Sequence, residues 1–244
     1  MYFASSLLVA GLAGLAQAQS VTPAGFTPPA NNKLDLYFNS TMVKLPGQLL
    51  AKADTASQPK LAVSSAMANM NETFMFVMLD LDVPPVGGGT TRRVLLHAMN
   101  TGFKATQQKI GGSSTLLAST DKGPAPYLPP GPPATDTIPH RYVQLLFQQP
   151  ADLKVQASDF ADTAARFNFD INAFMAKNKI SAPTAGNFFT VDGRASATAK
   201  GTASASGSGG LPGSTPQPFT GAAEKYGLSP GMAGMLGGLA LLVV

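Results

Sequence analysis

The chain has 244 residues, enough for one good-sized domain with a sizeable core. Its formal charge of +4 comes from 17 basic and 13 acidic residues spread along the chain, with no basic run and no interleaved aromatics, which argues against a nucleic-acid footprint. Charged residues make up only 12% and there is no cysteine, so neither disulfides nor thiolate metal sites carry the fold.

Both ends read as processing signals. An apolar run from Leu7 to Leu15 is followed by Ala16-Gln17-Ala18, a small-x-small cleavage pattern, so residues 1–18 are expected to be a secretory signal peptide. Two sequons, Asn39-Ser40-Thr41 and Asn71-Glu72-Thr73, agree with export and make Asn39 and Asn71 candidate glycosylation sites. At the other end, the small triplet Gly221-Ala222-Ala223 precedes a polar spacer and an apolar tail from Met232 to Val244. That order is a glycosylphosphatidylinositol signal, with Gly221 as attachment residue and 221–244 as signal; the tail is too short to span a bilayer. Ser208-Gly209-Gly210 is a second small triplet that could serve. Residues 194–220, rich in Ser, Thr, Ala, Gly and Pro, have almost nothing to bury and read as a linker. The folded unit is therefore expected at 22–193.

Within it the apolar period is mostly two. Leu34, Leu36 and Phe38 alternate in a first strand, and "LAVSSA" from Leu61 is a second. "TFMFVMLDLDV", Thr73 to Val83, is nearly continuous apolar, as expected of a central strand covered on both faces. "RRVLLHAMNTGF" from Arg92, "RYVQLLFQQ" from Arg141 and a late "NFFTV" complete the strands, with Pro- and Gly-rich turns between them. From Phe160 the residues Phe160, Ala164, Phe167, Ile171 and Phe174 step by four and three, which predicts one helix face with Ser158 as N-cap.

Asp80 and Asp82 end the long strand, His97 interrupts "VLLHAM", and His140 opens "RYVQLLF". These polar groups suggest a small concave site at one sheet edge. Each also has a structural reading, the aspartates as loop caps and the histidines as hydrogen-bonded core residues.

"VMLDLDVPP" with "RRVLLHAMN" resembles the first signature of the phosphatidylethanolamine-binding protein family, and "YLPPGPPATDTIPHRY" resembles the second. "LDLYFNSTMVKLPGQLL" and "FMAKNKISAPTAGNFFTV" resemble its opening and closing segments, so the likeness covers about residues 33 to 191 and points to exported fungal relatives. It implies a mainly β fold, a central antiparallel sheet with a second smaller sheet and a C-terminal helix. It also implies a pocket for an anionic head group between the two signatures. Carried over by position, the pocket residues are Asp80, Pro84, His97, Tyr127, Gly131, Pro132, Pro133, His140 and Tyr142. Rigid prolines would fix the loop, and imidazoles and phenols would donate hydrogen bonds to phosphate oxygens. The resemblance implies a monomeric binding protein, not an enzyme, that uses no cofactor and takes a phospholipid head group or small anion. A second reading is an inhibitor of a serine carboxypeptidase; a third is an enzyme whose metal is held by His97, His140 and Asp80 or Asp82. The chain departs from the family pattern at Leu81, Leu95, Ala98 and Pro129, and the stretch from Pro133 to His140 is about a residue longer.

Overall fold

The computed structural model describes residues 20–39 and 41–194. The signal peptide, nearly all of the linker, the anchor signal with Gly221, and Ser40 of the first sequon lie outside the described residues. Asn39 and Asn71 are both exposed.

Eight strands form one sheet: β1 (Asp35–Tyr37), β2 (Gln48–Leu50), β3 (Lys60–Ser64), β4 (Thr73–Val83), β5 (Arg93–Ile110), β6 (Ser114–Ala118), β7 (His140–Gln148) and β8 (Ala185–Val191). Their order is β1-β3-β6-β5-β4-β7-β8-β2, antiparallel throughout except for the parallel β2–β8 pair. The mainly β class follows the expectation. The second, smaller sheet does not stand apart, because β5 is 18 residues long and belongs to both halves. Its first part pairs with β4 and its second with β6, and register shifts in both ladders bend it.

The alternation in β4 explains why it lies at the centre. Phe74, Phe76 and Met78 face one core with Leu36, Leu61, Tyr142 and Phe189. Met75, Val77 and Leu79 face the other with Leu96, Val143, Phe147 and Ile171. All six β4 side chains are at most 1% exposed, so the strand is covered on both faces as its sequence predicts.

The predicted helix is corrected. The chain from 157 to 177 makes two short 3-10 turns, Ala157–Phe160 and Thr163–Arg166, and then a seven-residue helix, α1 (Ile171–Lys177). Asp162 caps the second turn through the Ala164 N–H, and Asn168 adopts a left-handed φ of 56° that ends helical continuity. Asp170, not Ser158, then caps α1 by accepting from the N–H groups of Asn172 and Ala173. Phe160, Phe167, Ile171 and Phe174 all turn inward or pack at the core edge. Ala164 is exposed, and the buried position of its turn is Arg166.

Candidate functional site

The end of β4 brings the first signature against the second. Asp80 lies opposite Tyr142 of β7 and Leu95 of β5, at a point where the β4–β5 ladder loses its regular register. Its Oδ1 accepts the Asp82 N–H at 2.8 Å, which locks the carboxylate to its own strand. Its Oδ2 accepts from His140 Nδ1 at 2.8 Å and lies 3.9 Å from His97 Nε2. The aspartate and both histidines therefore converge, each at most 4% exposed.

The two histidines are in opposite chemical states. His140 has a carboxylate on each ring nitrogen, Asp80 on Nδ1 and Asp136 on Nε2, both at 2.8 Å. Burial works against its charge, but the two carboxylates outweigh it and hold its pKa above the ordinary value. His140 is thus a doubly protonated imidazolium. Asp136 in turn is gripped by Arg92 through two bonds of 2.7 Å, and that guanidinium, with help from His140, holds the Asp136 carboxyl well below the usual range. The result is a chain of alternating charge: Arg92, Asp136, His140, Asp80. Beside it Arg141 donates to Asp82 through its backbone N–H, Nε and Nη2, each at 2.8 Å. Burial would raise the Asp82 pKa, but Arg141 overcomes it and the net direction is down.

His97 is neutral. Its Nδ1–H donates to the Leu128 carbonyl at 2.8 Å, and burial lowers its pKa despite nearby Asp80. A neutral ring protonated on Nδ1 carries a lone pair on Nε2, and that atom is buried without a partner. The Tyr142 ring meets His97 edge-on at 5.1 Å and stacks on Phe189; its buried hydroxyl has no partner of good hydrogen-bond geometry, although the Asp80 carboxylate and the Gly131 backbone lie close enough to act on it. Burial, with Asp80 nearby, pushes its pKa far up, so it stays protonated.

The remaining carried-over residues are frame more than pocket. Tyr127 donates its hydroxyl to the Thr55 carbonyl at 2.7 Å. The Pro84 carbonyl accepts from Arg93 Nε at 3.0 Å, and the Pro132 carbonyl from Lys52 Nζ at 2.7 Å. The Pro132 and Pro133 carbonyls press so closely on Gly193 that an added Cβ would lie 2.6 and 2.2 Å from them. Gly131 is exposed, and its backbone acts on the Tyr142 hydroxyl. Asp80, His97, His140 and Tyr142 thus form one buried cluster, with the Gly131 backbone beside it, while the contacts of Pro84, Tyr127, Pro132 and Pro133 go to Arg93, Thr55, Lys52 and Gly193. Sequence reasoning missed Asp136 and Arg92. Asp136 is the one acidic residue between Pro133 and His140, in the stretch that runs longer than the family pattern, which was the available signal.

Residues 27–189 match the family model described as phosphatidylethanolamine-binding protein. The chain belongs to that family. Among relatives, it is 32% identical to "Phomoidride biosynthesis cluster protein N" of Talaromyces stipitatus, covering 75% of this chain and 96% of that protein. It is 26% identical to the 26 kDa secreted antigen of Toxocara canis over 70% of this chain and 61% of the antigen. Among solved structures, the carboxypeptidase Y inhibitor in complex with its cognate proteinase shares the fold at a TM-score of 0.52 and 20% identity, covering 67% of this chain and 84% of the inhibitor.

Proposed function

We propose that this family member is an exported, surface-anchored binding protein whose Asp80–His97–Tyr142 site takes a phosphate-bearing head group or similar small anion. The observation that carries this reading is the pair of buried polar atoms beside Asp80 that lack a well-formed hydrogen bond, His97 Nε2 and Tyr142 Oη. Buried polar groups are costly when unpaired, and a ligand that pairs them recovers that cost. The required ligand is specific in its chemistry. It brings an acceptor for the Tyr142 hydroxyl and a donor for His97 Nε2 and Asp80. A phosphoethanolamine group offers both, through its phosphate oxygens and its ammonium; a phosphate monoester offers both through P–O and P–OH. Catalysis through a metal is disfavoured by the same geometry, since His140 spends both nitrogens on carboxylates and has no lone pair to give.

The test is a titration of the purified protein with short-chain phosphatidylethanolamine, with phosphoethanolamine and with inorganic phosphate, followed by NMR of the imidazoles. The chain has only two histidines, so assignment is direct. A saturable shift of the His97 ring supports the reading. Absence of any shift up to millimolar ligand would sink it. Export and anchoring are tested separately by release of the protein from cells with phosphatidylinositol-specific phospholipase. Attachment that survives full digestion would count against the anchor.

A second reading is suggested by the inhibitor structure, whose fold this chain shares. Inhibition of a secreted serine carboxypeptidase would use surface outside the site, and loss of peptidase activity on adding the purified protein is its test.

A further inference from the structure

A second site lies on the same face of the sheet, away from the two histidines. Residues of the 119–127 segment, with residues 58–61 and parts of β5 and β6, line an open groove of about 470 Å³, within the roughly 300–1,000 Å³ typical of small-molecule sites. Leu61, Phe103 and Leu117, each at most 7% exposed, supply an apolar floor, and the Tyr127 ring supplies one wall. Lys60 and Lys122 stand at the rim, both exposed. Among the described residues neither ammonium makes a salt bridge. Asp121 also lines the groove, its carboxylate turned toward Thr101 Oγ1, at 3.5 Å, and Gly102.

Asn100 adds an independent observation. It lines the groove, is 6% exposed, and donates through Nδ2 to the Lys122 carbonyl at 2.8 Å. Its Oδ1 is buried with no partner. A carboxamide oxygen only accepts, so what it lacks is a donor.

We infer that this groove binds a small amphipathic anion: an apolar ring with a carboxylate or phosphate that reaches the lysine pair and a hydroxyl or N–H that donates to Asn100. Each feature answers one part of the groove. The floor desolvates the ring, the lysines supply charge, and Asn100, which lines the groove with its oxygen unpaired, selects for a donor. None of Asp80, His97, His140 and Tyr142 lines the groove, and the Tyr127 hydroxyl is already spent on Thr55, so the inference does not depend on the anion site proposed above.

The probe is 6-hydroxy-2-naphthoate, compared with 2-naphthoate, which has the ring and the charge but no donor. Binding to the purified protein is followed by probe fluorescence, with no tryptophan in the chain to compete. One saturable site is expected, tighter for the hydroxylated probe by about fivefold. The exposed double substitution Lys60→Gln with Lys122→Gln is expected to weaken binding about tenfold, and added salt to do the same. By NMR the Asn100 side-chain amide and the Leu61 and Leu117 methyls shift, while both histidine rings stay still. The inference is overturned by equal affinity of the two naphthoates together with an unaffected double variant, or by shifts confined to the histidine rings, which would place the probe in the other site.

Discussion

Asp136→Asn removes one charge from the middle of the Arg92–Asp136–His140–Asp80 chain while keeping the shape of the side chain. Three charge-assisted hydrogen bonds end on the native carboxylate: two from Arg92 and one from His140 Nε2. Deleting a bond to a charged group costs roughly 1.5–3 kcal/mol, but two effects reduce the sum. The Arg92 side chain is 28% exposed and can recover water, and the asparagine oxygen can retain one bond. A net loss of about 2–3 kcal/mol is expected, a large part of the roughly 5–15 kcal/mol by which domains are stable. The pH dependence gives a sharper signature. Asp136 has a lowered pKa, so its contribution is present above the unfolded carboxyl value of about 4 and is lost as pH falls through its folded value. His140 has a raised pKa, so its contribution is complete below about 6.5 and is lost as pH rises through its folded value. The wild-type advantage over the variant is therefore greatest between about pH 4 and 6.5. Urea unfolding across pH 3 to 9 measures it, and NMR titration of His140 should show its pKa fall in the variant. A loss under about 0.5 kcal/mol with an unmoved His140 titration would refute the charge chain as described.

Three further outcomes follow from the site. Sulfate, which carries no proton at neutral pH, can bind beside His97 only if that ring takes one up, so its affinity should rise as pH falls from 8 toward 5, by up to about tenfold per unit. A flat calorimetric profile would mean that His97 is not at the anion. Tyr142→Phe deletes a buried hydroxyl that has no well-formed hydrogen bond, so stability should hold or rise by up to about 1 kcal/mol while phosphate affinity falls; destabilisation by more than that would show the hydroxyl to be firmly bonded to Asp80 or Gly131. Gly193→Ala forces a methyl against the Pro132 and Pro133 carbonyls and should cost about 1–3 kcal/mol, with a drop in the His140 pKa as the displaced loop carries Asp136 away. Unchanged thermal stability in that variant would show that the loop yields freely.

The strands were legible where period and burial agree. Thr73 to Val83 was read with its final bounds because an unbroken apolar run ended by two aspartates has few other uses. β2 and β6 escaped notice: each is short, and β2 is defined by its pairing with β8, a contact no local pattern encodes. The helical segment departs from its sequence pattern for a related reason. The spacing of Phe160, Phe167, Ile171 and Phe174 correctly gave their inward direction, but inward-facing residues recur at helical intervals in consecutive capped turns as well as in one helix. The aspartates at 162 and 170 and the left-handed Asn168 decide between the two. At the site, both histidines and Asp80 were visible from the signatures, whereas their protonation was not. A histidine in a sequence is a donor or an acceptor only once its neighbours are known. The carboxylate that commits His140 comes from a loop residue four positions before it, and the Arg92 that secures that carboxylate is 44 residues away along the chain.

That commitment changes what each histidine can do for a ligand. The expectation that both imidazoles donate to phosphate oxygens would place an anion between two equivalent rings. Instead, His140 is saturated by the protein's own carboxylates and works as a rigid cation that orients Asp80. His97 is left as an acceptor next to that carboxylate, and the Tyr142 hydroxyl is the donor beside the two. A bare anion meets repulsion from Asp80 and gains only the tyrosine. A ligand whose anionic group carries a proton, or is followed by an ammonium, satisfies both sides. At the proposed site the discrimination would lie in the ligand's donor, and a comparison of phosphate with sulfate at pH 7, equal in size and differing in the proton, isolates it: phosphate should bind the tighter of the two, and equal affinities would return His97 to the role of a donor.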